Sequence, residues 1–190
     1  MIDVKGKLYG TTESGGAYGA GTVFSITLGG KEKVLHSFGN GNDGAVPSAG
    51  LIDVGGTLYG TTEVGGSPNC TITSTCGTVF SIAPNGTERV LHRFVGGDAD
   101  GAAPAASLIE VKGTLYGTTA QGGPYFCGGD GCGTVFSITP SGDETVLHTF
   151  GGAADGAAPH AGLIEVGGSL YGTTLGGGTD KHGTVFTLKP

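Results

Sequence analysis

Histidine, aspartate and cysteine are the residues of this chain whose spacing could carry chemistry. His36, His92 and His148 recur in a Val-Leu-His-x-Phe setting, and imidazole is both a proton carrier and a metal ligand. Each lies in what reads as the outermost strand of its repeat, which sets the three apart and predicts structural roles rather than a metal ring. Asp98-Ala99-Asp100-Gly101 resembles the start of an oxygen-ligand calcium loop, so Asp98 and Asp100 are the calcium candidates. The equivalents Asn42-Asp43-Gly44 and Ala154-Asp155-Gly156 are poorer in ligands, and no Glu follows at the expected distance. Turn capping by Asp43, Asp100 and Asp155 through the local backbone is the expectation, with no cofactor required.

Cys70 and Cys76, and Cys127 and Cys132, form two local pairs around Gly/Ser/Thr/Asn-type loops. Zinc sites usually place two cysteines closer together, with a second pair or histidines nearby. Two disulfide-closed loops are therefore expected, and with them an oxidising compartment. Tyr18, Tyr125 and Phe126 sit in loop-type sequence and are the stacking candidates for a ligand such as a glycan. No Ser/His/Asp or Cys/His set emerges from spacing, and the few carboxylates recur with the repeat. The chain reads as non-catalytic.

The elements that position these residues are themselves repeated. Leu-Tyr-Gly-Thr-Thr occurs at Leu8–Thr12, Leu58–Thr62, Leu115–Thr119 and Leu170–Thr174. A Leu-Ile-acid-Val strand and a two-residue turn precede each full copy, a pattern that joins antiparallel strands. A Gly-rich loop then leads to a third strand: 21–27, 77–83, 133–139 and 183–188. A fourth follows at Val34–Phe38, Val90–Phe94 and Val146–Phe150, and Asp-Gly-Ala-x-Pro returns the chain to the next unit. Apolar residues on both faces of these strands suit sheets packed between neighbours.

Four antiparallel strands at a period near fifty residues is the pattern of a propeller blade. The expected fold is all-β: a single domain, residues 1–190, forming a four-bladed β-propeller with repeats at about 1–46, 47–103, 104–158 and 159–190. A larger propeller fragment and a β-solenoid are the alternatives. The fourth unit carries three strands, so its last blade lacks an outer strand. Val185, Phe186 and Leu188 would then form an unpaired apolar edge, and with Met1, Ile2 and Val4 they make the expected assembly edge.

Composition excludes several classes. Glycine supplies 42 of 190 residues, but at fixed offsets, as turn and close-packing positions. A net charge of −7 with 13% charged residues leaves no basic patch for nucleic acid. No apolar run reaches the length of a membrane span. No signal-peptide pattern opens the chain, so a mature form or a segment is expected.

The ordered motifs Asp-Gly-Ala-x-Pro, Leu-Ile, Leu-Tyr-Gly-Thr-Thr, Gly-Gly, Gly-Thr-Val-Phe and Val-Leu-His-x-Phe resemble the GloVer-type tandem repeats of bacterial extracellular proteins. The resemblance spans essentially the whole chain. It implies an exported, propeller-like repeat protein of bacterial origin and brings no catalytic residues. The expectation is an extracellular structural protein that assembles with copies of itself, possible filaments included, by completing the fourth blade. A glycan-binding propeller using the Cys-bearing loop face is the alternative.

Overall fold

The computed structural model describes residues 1–67, 76–127 and 131–190. It is all-β. The strands in chain order are β1 (Ile2–Val4), β2 (Lys7–Thr12), β3 (Thr22–Thr27), β4 (Glu32–Ser37), β5 (Ile52–Val54), β6 (Thr57–Thr62), β7 (Thr78–Ile82), β8 (Glu88–Arg93), β9 (Gly101–Ala102), β10 (Ile109–Val111), β11 (Thr114–Thr119), β12 (Gln121–Gly122), β13 (Thr134–Ile138), β14 (Glu144–Thr149), β15 (Ile164–Val166), β16 (Ser169–Thr173) and β17 (Val185–Leu188). Three antiparallel sheets have four strands, β1-β2-β3-β4, β5-β6-β7-β8 and β10-β11-β13-β14. A further sheet, β15-β16-β17, has three, and β9 pairs with β12 in a two-stranded sheet.

The turn between the first and second strands of each sheet is capped by the acid of the preceding strand. Gly6 and Gly56 N–H donate to Asp3 and Asp53 at 2.8 and 3.1 Å, and Gly113 and Gly168 donate to Glu110 and Glu165. The outer strands begin two residues earlier than the sequence suggests, at Glu32, Glu88 and Glu144. They end before the phenylalanine. A bulge after Val23, Val79 and Val135 shifts the outer register, and turns Phe38, Phe94 and Phe150 into the junction with the next sheet.

Among the described residues the core is three clusters, one per junction between consecutive sheets. Tyr9, Val23 and Phe38 meet Leu51, Leu58, Phe80 and Ile82, and the same residue types recur at the next two junctions. At each, two phenylalanines pack edge to face, with centroids 5.0, 5.1 and 5.0 Å apart, a favoured aromatic geometry. The ring of Phe136 lies over Gly117, where an added Cβ would sit 2.6 Å from it. That contact explains the glycine in Leu-Tyr-Gly-Thr-Thr.

Backbone bonds stitch the junctions. The x residue of Asp-Gly-Ala-x-Pro, at Val46, Ala103 and Ala158, takes a positive φ of 57°, 54° and 53°. Its N–H donates to Ala20, Cys76 and Cys132 of its own unit, and its carbonyl accepts from Glu63, Ala120 and Leu175 of the next. These bonds offset the roughly 1–2 kcal/mol cost of a left-handed residue. The two threonines divide the remaining work. Thr11, Thr61 and Thr118 donate to Ala49, Ala106 and Ala161 at the next unit's entry. Thr12, Thr62, Thr119 and Thr174 bond the hydroxyls of Thr22, Thr78, Thr134 and Thr184 at 2.9, 2.8, 2.8 and 2.9 Å, clamping the base of each loop.

Two faces stay open, where a ring of four blades would bring sheet four against sheet one. Met1 is 73% exposed on the front of sheet one, and Ile164, Val166 and Val185 are 61, 57 and 78% exposed on the back of sheet four. Among the described residues, no cluster joins these sheets.

Candidate functional site

The recurrent histidines lie at the sheet junctions. His36 Nε2 stands 3.0 Å from Asp43, His92 Nε2 3.4 Å from Asp100, and His148 Nε2 3.2 Å from Asp155. Each aspartate also accepts a backbone N–H, from Gly39, Val95 or Gly151. The pair thus fixes the start of the connection to the next sheet. Asp98 lies exposed on the turn, while Asp100 is directed inward to His92.

A glutamate from the next sheet joins two of these pairs. Glu144 brings a carboxylate oxygen to His92 and Asp100, the three ligand atoms lying within 4.8 Å of one another. Glu88 interacts with His36, Asp43 and Arg93. In both glutamates Oε1 is shielded from solvent and has no hydrogen-bond partner. The third junction lacks this member, since sheet four has no outer strand among the described residues. His148 and Asp155 are correspondingly open, with side chains 37 and 44% exposed. Sequence reasoning missed these glutamates, although Glu stands four residues before His in Glu-x-Val-Leu-His at all three copies.

Burial is the largest influence on Glu88 and raises its carboxyl above the ordinary range. His36 opposes that rise, Asp43 adds to it and Arg93 subtracts from it. The native state then holds this proton more tightly than the unfolded chain, whose carboxyl titrates near 4.5. The protonated form's advantage is complete below that value and is lost as pH rises through the native pKa. Glu88→Gln will therefore raise the melting temperature relative to wild type near neutral pH, and the gap will close on acidification. Parallel melting curves across pH check this; a gap that stays constant or widens in acid refutes it.

Cys76, Cys127 and Cys132 lie in loops between strands. Cys127 and Cys132 form a disulfide. Cys76 is disulfide-bonded as well, and its expected partner Cys70 lies outside the described residues. Beside the Cys127–Cys132 bridge, a cavity of about 840 Å³ is lined by Gln121, Phe126, Leu175 and Lys181, among others. Tyr125 and Phe126 share a smaller one with Asp98 and Pro124. Tyr18 is exposed in the loop between β2 and β3 and lines neither.

The six residues of the expected assembly edge part company. Ile2 and Val4 pack against the first junction, and Phe186 and Leu188 against the third. Only Met1 and Val185 are freely exposed. They are joined by residues not expected at that edge: Ile164, Val166 and Tyr171, whose counterparts in the other sheets lie at the junctions. Among the described residues, no helix is long and apolar enough to cross a membrane.

A family model described as the Gloeobacter/Verrucomicrobia repeat matches residues 1–190. No curated protein matches the chain.

Proposed function

We propose that this chain, which belongs to the Gloeobacter/Verrucomicrobia repeat family, is a non-catalytic extracellular structural protein that assembles with copies of itself through its fourth sheet. Its sheets act as propeller-type blades, and the outermost two remain unsatisfied. One observation carries the reading. The back of sheet four exposes Ile164, Val166, Tyr171 and Val185, the same residue types that the back of sheet three buries. The front of sheet one offers the counterpart, Met1 with half-buried Leu8, Phe24 and Ile26. A second copy stacked front to back repeats a contact the molecule already makes three times. Such a contact is heterologous and gives a filament unless its rotation closes a ring. An added strand along the free side of β17 would extend the same interface. Light scattering and electron microscopy of the purified chain test the proposal, and a monodisperse monomer at all concentrations would sink it.

A ligand-binding role has its own support in the cavity beside the Cys127–Cys132 bridge, lined in part by Phe126, and in the smaller one that Phe126 shares with Tyr125. Aromatic rings next to a concave surface suit the faces of sugar rings. On this reading Tyr125→Ala and Phe126→Ala each abolish the hits on a glycan array; an array blank for the unmodified chain removes the reading.

A further inference from the structure

The three sheet junctions carry one constellation with three different fillings. At the first, His36, Asp43 and Glu88 are accompanied by Arg93, whose guanidinium interacts with Glu88 and donates to the Asn42 carbonyl at 3.1 Å. At the second, His92, Asp100 and Glu144 recur, but the position of Arg93 is taken by Thr149. The correspondence is fixed by register, since Arg93 pairs with Thr78 and Thr149 with Thr134. At the third, the glutamate is missing. Among the described residues, only the second junction gathers two carboxylates and an imidazole with no cation acting on its glutamate; Arg89 crosses the same junction but donates to the Ser141 carbonyl instead.

Its geometry differs accordingly. His36 and Asp43 stand at hydrogen-bond distance, whereas His92 and Asp100 are 3.4 Å apart, beyond the usual range for such a bond. Zinc holds nitrogen and oxygen ligands tetrahedrally at about 2.0–2.2 Å, which places neighbouring ligand atoms about 3.3–3.5 Å apart. His92 and Asp100 already stand at that spacing. Glu144 supplies the third atom from the opposite sheet, within 4.8 Å of the others, so its carboxylate, whose shielded Oε1 has no hydrogen-bond partner, would close inward on an ion. An imidazole nitrogen with two carboxylates suits a divalent transition ion, and calcium prefers oxygen throughout.

We propose that His92, Asp100 and Glu144 bind one divalent transition-metal ion, of zinc's kind, which pins the second sheet to the third as Arg93 does between the first and second. The inference is independent of self-assembly, because these residues lie at an internal junction.

The test uses the full chain without a metal-binding tag, stripped by chelator and titrated calorimetrically with Zn²⁺ alone; Co²⁺ serves as the absorption probe of coordination. One ion per chain is expected. Glu144→Gln, near-isosteric with the native residue, should weaken binding at least about tenfold, and so should Thr149→Arg, which imports the first junction's cation. Glu88→Gln should leave binding unchanged. Circular dichroism of the stripped variants establishes that each is folded, and Thr149→Arg removes no ligand, so a fold defect in one variant does not remove the test. Absence of Zn²⁺ binding overturns the proposal. So does binding that survives both Glu144→Gln and Thr149→Arg, which would place the ion on other groups such as His160 or His182.

Discussion

A chain carrying Ile164→Asp and Val166→Asp will sediment as a monomer under conditions where the unmodified chain forms larger particles. Both side chains are more than half exposed on the back of sheet four, so the folded molecule loses little, within about 0.5 kcal/mol for a surface site. The interface loses much more, because two carboxylates would have to be buried against the apolar front of sheet one. Their counterparts in sheet three, Ile109 and Val111, pack at the third junction. There the same double substitution should cost about 3 kcal/mol or more of folding stability. Polarity is tested by mixing. A front-blocked copy, Ile26→Asp, and the back-blocked copy should each be monomeric alone and form only dimers together. Larger particles from the back-blocked chain alone would refute assembly through this face.

Phe94→Ala should be the most damaging single truncation, at about 3–5 kcal/mol for a fully buried phenylalanine. Phe94 is wholly inaccessible to solvent. Its ring packs edge-on against Phe136 at 5.1 Å and against His92 at 4.7 Å. It also occupies the middle junction. In a linear array, stability is the sum of units and their interfaces, so weakening the middle divides the molecule into halves of two sheets each. Phe38→Ala frees one end sheet and should leave a three-sheet remainder. Denaturant unfolding followed by two probes should therefore separate into two transitions of comparable amplitude for Phe94→Ala, and of unequal amplitude for Phe38→Ala. A loss below about 1.5 kcal/mol for Phe94→Ala would mean that the junction collapses around the gap.

The all-β character, the sheet composition and the three-stranded fourth unit were legible from the sequence, because each unit repeats its turn chemistry at fixed offsets. The Cys127–Cys132 bridge was legible for the same local reason. What the sequence concealed lies between units. The junction glutamates could not be assigned a partner until the packing of consecutive sheets brought Glu88 of β8 to His36 of β4 and Glu144 of β14 to His92 of β8. The outer strands were placed two residues late because a bulge, which period-2 patterning does not reveal, shifts their pairing. Ile2 and Val4 read as a free edge although they lean on the second sheet. Ile164 and Val166 are of the same residue types as Ile109 and Val111, so their exposure follows only from which neighbour each sheet has.

The threonine clamp has a consequence for how such a chain can vary. The paired hydroxyls are separated by 10, 16, 15 and 10 residues in the four units, yet the clamp closes to nearly the same distance each time. Loop length is thereby uncoupled from sheet geometry. A lineage can lengthen, shorten or rewrite the intervening segment while the sheets beneath keep their spacing, and closing a longer loop costs only about 0.6 kcal/mol per doubling. The repeat is in this sense a display frame, with an invariant base and an interchangeable crown.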